Sequence, residues 1–555
     1  MYKPENFLCR MPRNGFVSSV RITKAIFLLF MHSRELQIAM TLKLKVKILG
    51  IEAGGKPIVI LHHDDAEDLG VRSLNRVKLK YRGNEATAIV NTTTRVVGHG
   101  NIGISEEVRN ALNLRQDVEV IVDIAKFPQS LQYIINRLKG RRLTYDETRE
   151  IVRDVVQGNL NEIEIAAFIT ALNQYGLDLD EAAHLANAMV ETGERLQLNK
   201  KLIVDKHSVG GVPGDKTTLL VVPIVASAGL TIPKTSSRAI TSAAGSADRA
   251  ETLMDVELGI DEMKSVVEKA NGCFVWGGAL RMSPADDIFI QVEFPLSIDP
   301  MLLPSIMSKK KAVGANYVVI DIPTGRGTKI KTMGDANLLA KDFILIGKKL
   351  GMSVQCAVTY GEQPVGHAIG PALEAREALE VLMRKKNVPD LIDKACHVAG
   401  ILFEMTGMKN GEQIARDIIK SGKAEAKLRE IIGLQSGNPK IKPEDMEIGQ
   451  HGLDCESKKP GIVLWIDNAS LVEIARAAGS PKDKGAGIIL HKKLGDNVAK
   501  GERLFTVYAE KQQKLERVRQ LMDEGQSVGV GERTEMLMSH VKEVPVHKKT
   551  FILER

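Results

Sequence analysis

Hydrophobic and polar positions follow three successive rhythms along the chain. From Leu42 to Lys126 they alternate in short runs. Leu42-Lys-Leu-Lys-Val-Lys-Ile and Val77-Lys-Leu-Lys-Tyr put every second residue on one face, which predicts half-buried strands. Gly54-Gly55 and Arg82-Gly83-Asn84 supply turns. Ser105 is placed to cap a short helix, with Glu106 and Glu107 near its positive end, and a strand follows over Val118–Ile124. The pattern predicts a small barrel-like β domain over residues 40–126.

At Ser130 the period lengthens. Leu131, Ile134, Ile135 and Leu138 recur at helical spacing, Thr144-Tyr-Asp-Glu is a capping box, and Asn161-Glu-Ile-Glu opens another helix. From Leu202 strands alternate with helices: Leu202–Asp205, helix Thr217–Ala228, Tyr317–Asp321, helix Asp335–Leu350. Such alternation predicts a mostly parallel sheet with crossover helices. A helical patch near Asp299–Val313 interrupts it and is expected to return to the helical part. Asn438-Pro-Lys-Ile-Lys-Pro is a linker by composition, and the segment from Pro460 to Phe505 reads as part of a small α+β tail with glycine-rich turns. The expected fold is therefore multidomain α/β. A β-rich domain spans 40–126, a helical domain 130–200 plus about 280–313, a large mixed or parallel α/β domain 202–279 plus 314–440, and a C-terminal α+β domain 455–545.

Composition narrows the partners. Aromatic residues make up 4% of 555, too few for a surface on which successive bases stack. The net charge of +7 is concentrated in residues 1–39, where six basic residues face two acidic ones. Elsewhere the excess is too small to point to nucleic acid. Five scattered cysteines without a CxxC pair fit a reducing, cytoplasmic setting and offer no compact metal site. The adjacent histidines His62-His63 lie in the β-rich part, away from the chemistry below, so no metal is expected. The apolar run Ala25–Met31 is far short of the ~20 residues that span a bilayer, and no small-x-small cleavage site follows it. Residues 1–39 are read as an extension outside the fold, with Met31 or Met40 as alternative starts.

Chemistry concentrates in two loops. The first runs Val204-Asp-Lys-His-Ser-Val-Gly-Gly-Val-Pro-Gly-Asp-Lys-Thr-Thr218. A strand ends, glycines let backbone amides approach an anion, a helix begins, and Lys206, Ser208 and Thr218 add donors: a phosphate cradle. It is not a Walker loop, because Asp215 precedes Lys216 where that motif has glycine. The bland alternative is a strand–helix turn that merely needs glycine. The second loop, from Ile232 to Asp248, crowds six hydroxyls and Arg238 among small residues. Alone it could be a capped helix start with solvated serines. Two such loops after successive parallel strands should meet at the carboxyl edge of the sheet, where ligands bind.

These loops, together with Ser305-Ile-Met-Ser-Lys309, resemble those of the thymidine/pyrimidine-nucleoside phosphorylase family, and within it the archaeal AMP phosphorylases. The resemblance covers roughly residues 40–545 and implies a fold shared with anthranilate phosphoribosyltransferase. It implies phosphate ligands at Lys206, Ser208, Thr218, Ser236 and Ser246. It implies nucleotide contacts at Gly211, Ser237, Arg238, Ala239, Ile240, Thr241, Ser242, Ser246, Ser305, Lys309 and Lys329. Asp299 would be the proton donor, and His207 would orient the base. The run between Asp299 and Ser305 is two residues shorter than in relatives. Where the nucleoside enzymes grip a pyrimidine with arginine this chain has Ile290, which argues against thymidine.

The implied activity is phosphorolysis of AMP to adenine and ribose 1,5-bisphosphate, with CMP and UMP as further substrates, no cofactor, and phosphate as co-substrate. A pyrimidine-nucleoside phosphorylase and an inactive nucleotide-binding assembly protein are the alternatives. A homodimer or larger homo-oligomer is implied. Several residues have a second reading. Asp299 could cap the helix after Pro300, His207 could be a hydrogen-bonded structural residue, and Lys309–Lys311 could be a solvated face. Arg326 is a candidate for the 5′-phosphate and Asp335 for a helix cap. Gly277-Gly278 and Val313-Gly314 are candidate hinges for closure of two lobes.

Overall fold

The computed structural model describes residues 41–125, 127–239 and 242–532. They fall into two compact units, one holding the described residues up to 132 together with 157–165, the other 133–156 and everything from 166. The expectations for residues 1–39, Ile240 and Thr241 lie outside the described residues.

The first unit is a closed six-stranded barrel. Its strands are β1 (Leu42–Ile48), β2 (Ile58–His62), β3 (Arg76–Tyr81), β4 (Asn84–Thr93), β5 (Asn101–Ile104) and β6 (Glu119–Ile124). Alternation directs Leu44, Val46, Val77, Leu79, Val120 and Val122 into the core. Arg82 and Gly83, both at positive φ (49° and 86°), close the β3–β4 hairpin between the paired Tyr81 and Asn84. Helix α1 (His63–Leu69) follows β2, and α2 (Glu106–Leu112) follows β5. Ser105 stands at the N-cap of α2, but its hydroxyl accepts the Ile58 N–H (3.3 Å) and not one from its own helix.

In the second unit, helices α3 (Gln129–Leu138), α4 (Tyr145–Val156), α5 (Glu162–Tyr175) and α6 (Leu179–Glu191) precede the sheet, α3 and α5 each beginning in the first unit. Then come β7 (Val204–Ser208), α7 (Thr217–Ser227), β8 (Ile232–Ser236), α8 (Ser246–Glu251), α9 (Ile260–Ala270) and β9 (Gly272–Trp276). Helices α10 (Pro284–Leu296) and α11 (Leu302–Ala312) return to the helical part, α10 against α4 and α11 against α6. Strand β10 (Tyr317–Thr324), α12 (Met333–Lys349) and β11 (Ser353–Tyr360) complete the sheet. Strands β11, β10 and β7 pair in parallel, as do β8 and β9, and an Ile203–Thr231 bridge joins β7 to β8. The full order is thus β11-β10-β7-β8-β9. Its strands are covered on both faces, and Val318–Ile322 is a continuous buried run.

Strand β12 (Ala368–Ile369) leads into α13 (Pro371–Leu382), α14 (Pro389–Met405), α15 (Gly411–Lys420) and α16 (Lys423–Leu434). The tail contains β13 (His451–Glu456), β14 (Gly461–Ile466), α17 (Asn468–Ala478), β15 (Gly487–Leu490), β16 (Asn497–Val498), β17 (Arg503–Ala509), α18 (Lys514–Glu524) and β18 (Val528–Gly531). Strand β12, which the sequence places in the α/β part, hydrogen-bonds into the tail's sheet β12-β15-β17-β13. No helix among the described residues is long and apolar enough to cross a membrane.

Candidate active site

Strand β7 brings Asp205, Lys206, His207 and Ser208 to the carboxyl edge of the sheet. The chain then turns through Gly210, Gly211 and Gly214, all at positive φ. Two of them are also required by close approach. A Cβ on Gly211 would meet the Lys329 backbone nitrogen at 2.7 Å, and one on Gly214 the Val365 and Ala368 carbonyl oxygens at 2.8 Å. Ser208 Oγ accepts the Gly210 N–H (3.3 Å) and lies 3.4 Å from Asp215. Lys216 is buried and donates to the carbonyls of Val365 (2.7 Å) and Ala368 (3.2 Å) beside Glu377 (2.8 Å), so it braces the loop from behind. Helix α7 starts there; its N-cap Lys216 makes no side-chain capping bond, Asp215 accepts the Thr217 amide (3.3 Å), and the buried Thr218 sits in the same turn. Free amides at a helix start favour an anion.

Ser208 and Ser236 each stand five residues beyond the bridged Ile203 and Thr231, at the ends of adjacent parallel strands. The Ser236 hydroxyl is buried without a hydrogen-bond partner among the described residues. Asp248 holds the second loop closed by accepting the amides of Ala239 (2.7 Å) and Gly245 (2.8 Å). The Arg238 guanidinium is committed to Glu251 (2.6 Å) and Glu257 (2.7 Å) and stacks over Trp276 (4.8 Å). Its side chain is therefore a brace for the loop. Ser242 Oγ donates to the Ala244 carbonyl, and Arg476 of the tail donates to the Ser242 carbonyl. Ser246 opens α8 with its hydroxyl 3.4 Å from Arg249, which is itself paired with Glu374.

Beneath the loops lies a buried charge network. Lys394 bridges Asp215 (3.1 Å) and Asp321 (2.8 Å), and Thr359 donates to Asp321 (2.6 Å). Lys310 pairs with Asp205 (2.6 Å), with Lys234 3.8 Å from the same carboxylate. Burial raises the cost of the Asp215 anion, but Lys394 and Lys206 outweigh it and hold its carboxyl well below the usual range. For Lys206 the balance is reversed. Burial pulls its ammonium down against the attraction of Asp215 and Asp321, and no carboxylate oxygen among the described residues lies within 4.0 Å of it. His207 falls well below the ordinary histidine range, first through burial and then through Lys310, Lys234, Lys309 and Lys206. Its imidazole is neutral near pH 7.

Across from the cradle, Lys309 pairs with Asp286 (2.6 Å) and Lys311 donates to Asn187 (2.7 Å). With Lys310 buried, the alternative reading of 309–311 as a solvated lysine face does not hold. Helical spacing distributes the three around α11, and each meets a partner. Asp299 does not cap that helix either. The N-cap is Met301, and Asp299-Pro300 sits in the preceding turn. Its half-exposed carboxyl is 3.9 Å from Lys329. Burial raises its pKa, Lys329 opposes the rise, and Asp286 adds to it. Glu293, one helical stretch earlier, is pushed up to about 8 by burial and by Asp299, with Oε1 unpartnered. Asp335 lies in the first turn of α12, where Thr332 is the cap and donates to it.

Comparison with known proteins bears on the same residues. Residues 200–425 match the glycosyl transferase family a/b domain, 131–193 its helical bundle domain, and 462–528 the pyrimidine nucleoside phosphorylase C-terminal domain. The chain is 47% identical over 516 residues to AMP phosphorylase of Thermofilum pendens, covering 93% of this chain and all of that one. It is 49% identical to AMP phosphorylase of Thermococcus kodakarensis, over 86% of this chain and 95% of that one. The chain belongs to the AMP phosphorylase family. Anthranilate phosphoribosyltransferase of Thermus thermophilus aligns with 55% of this chain and 99% of its own, at 19% identity and a TM-score of 0.47.

In this AMP phosphorylase family member, eight of the site residues read from sequence gather at the two strand-end loops. Lys206, His207, Ser208, Gly211, Thr218, Ser236, Ser237 and Ser246 lie on the two loops or their flanking elements, and Lys329 packs against Gly211. Ser305 is half-buried on α11, one turn before Lys309. Arg326, exposed, stacks over Trp465 of the tail (5.7 Å). Asp205, Lys234, Asp321, Lys394, Asp286 and Glu293 were missed. Their sequence signal was only a charged residue inside an apolar run, as in Val318-Val-Ile-Asp-Ile, where burial without a partner would be costly.

Proposed function

We propose that the chain catalyses phosphorolysis of AMP: the C1′–N9 bond breaks, a C1′–O bond to orthophosphate forms, and adenine and ribose 1,5-bisphosphate leave. The observation that carries this reading is the buried Lys206, with no carboxylate oxygen within 4.0 Å among the described residues, together with the Ser236 hydroxyl, unpartnered among the same residues, at the end of the neighbouring strand. Orthophosphate on Lys206, Ser208, Thr218, Ser236 and Ser246 replaces the missing partners and supplies the nucleophile. Its charge offsets the positive charge that develops on the ribose. Asp299, whose pKa burial raises, donates its proton to N7 of the departing purine, and Lys329 beside it restrains the resulting carboxylate. Neutral His207 orients the base, and Gly211, the loop Ser237–Ser242 (Arg238 through its backbone alone), Ser305 and Lys309 complete the nucleotide site. Arg326 holds the 5′-phosphate, the group that separates nucleotide from nucleoside. No cofactor takes part.

Steady-state rates with AMP and with adenosine at saturating phosphate test the assignment. AMP should be preferred by at least a hundredfold in kcat/KM. Comparable turnover of adenosine would transfer the site to the nucleoside phosphorylases, and binding of AMP without release of adenine would make the chain a nucleotide-binding protein.

A further inference from the structure

At one end of the barrel, two distant stretches of sequence bring imidazoles together. His62 ends β2, and Asp64 follows within the first turn of α1. His99 arrives from the β4–β5 connection, between Gly98 and Gly100. One donor atom from each of His62, Asp64 and His99 lies within 4.8 Å of the others, and the two rings meet edge to face at 6.3 Å. The sequence shows only the His62-His63 pair, whereas the fold pairs His62 with a residue 37 positions on.

A fourth residue supports the cluster from below. Asp65 is buried and accepts the Gly100 amide at 2.9 Å, with Gly100 at φ 76°. The same carboxylate lies 2.9 Å from His99 Nδ1. A carboxylate on one imidazole nitrogen fixes the tautomer and turns the lone pair of the other outward, the arrangement typical of metal-bound histidine. His62 Nδ1 accepts the Asp64 amide at 3.3 Å, so taking a metal costs at most one long cap bond.

We propose that His62, Asp64 and His99 bind a divalent transition-metal ion of the zinc type, with Asp65 as the positioning residue. Two imidazoles select such an ion over Mg²⁺ or Ca²⁺, which take oxygen donors. Tetrahedral donors around zinc stand roughly 3.3 Å apart, given Zn–N bonds of about 2.0–2.1 Å. The exposed Asp64 side chain is free to close that distance by rotation, while Asp65 holds the His99 ring. With three protein ligands a fourth position is left for water. The ion would tie the 94–100 connection to the start of α1, a staple separate from the phosphate cradle.

Zinc titration of the untagged, chelator-treated full-length protein, by calorimetry and by metal analysis after desalting, tests this. One Zn²⁺ per chain should bind, with binding lost in His99→Ala and in His62→Ala. Asp65→Asn should weaken it by roughly 10–100-fold. Because Asp65 is buried, the exposed His99→Ala is the variant that keeps the test valid if Asp65→Asn unfolds. Hydrogen exchange in residues 94–100 should slow on adding Zn²⁺, and AMP phosphorolysis should be unchanged in His99→Ala. Absence of stoichiometric binding, or binding that survives His99→Ala, overturns the proposal.

Discussion

Burying Lys206 strips its ammonium of water, and Asp215 and Asp321, the opposing charges nearby, are already engaged by Lys394. Ion pairs satisfied among themselves leave Lys206 as a cation without a close carboxylate among the described residues, which is the physical basis of the proposed anion site. Asp299, the proposed acid, is tuned by the opposite balance. Burial favours neutral Asp299 and Lys329 favours its anion. A general acid works only while protonated, so kcat should fall as pH rises through the raised pKa of Asp299. Lys329→Met removes the group that lowers that pKa, and the decline should therefore move to higher pH. Asp299→Asn should cut kcat by roughly a hundredfold or more and flatten the profile. A pH–rate profile of Asp299→Asn that keeps the wild-type decline would assign the proton to another group, with Glu293 the nearest candidate.

Among the elements, the strand-end loops show how chain geometry creates the site. Gly211 adopts φ 93° and leaves no room for a Cβ against the Lys329 amide. Gly211→Ala should therefore separate the cradle from the Gly325–Lys329 loop. AMP kcat/KM should drop at least tenfold, with about 1–3 kcal/mol lost from stability in chemical denaturation. Unchanged kinetics would show that the two loops do not share a ligand. The loops themselves were legible in sequence because glycine and hydroxyl residues cluster where a strand gives way to a helix. The barrel was legible because Leu42–Ile48 alternates cleanly. The lysines of α11 were not, because three consecutive charges carry no sign of which face each takes, and only the packed helix shows Lys310 on Asp205. Arg238 was misleading for the same reason. Its loop is at the site while its guanidinium reaches back to Glu251 and Glu257. The His62–His99 pairing was hidden because it depends on barrel closure between β2 and the β4–β5 connection.

For the whole molecule, the parallel sheet sets the chemistry. Strands β7 and β8 are neighbours and point the same way, so the loops after them emerge at one edge, while α10 and α11 return to the helical part with Asp299 on the turn between them. Helical bundle, α/β body and tail each match their own family model, in the order that the change of periodicity at Ser130, Leu202 and Pro460 marks in the sequence. If this layout does what its chemistry implies, orthophosphate held by the two loops is the nucleophile. Phosphorus NMR of AMP incubated with enzyme, with and without added phosphate, puts that to the test. No reaction is expected without phosphate. With it, adenine should appear in equal amount to a doubly phosphorylated ribose bearing a new phosphate at C1. Release of adenine with ribose 5-phosphate in the absence of phosphate would make water the nucleophile and contradict the assignment.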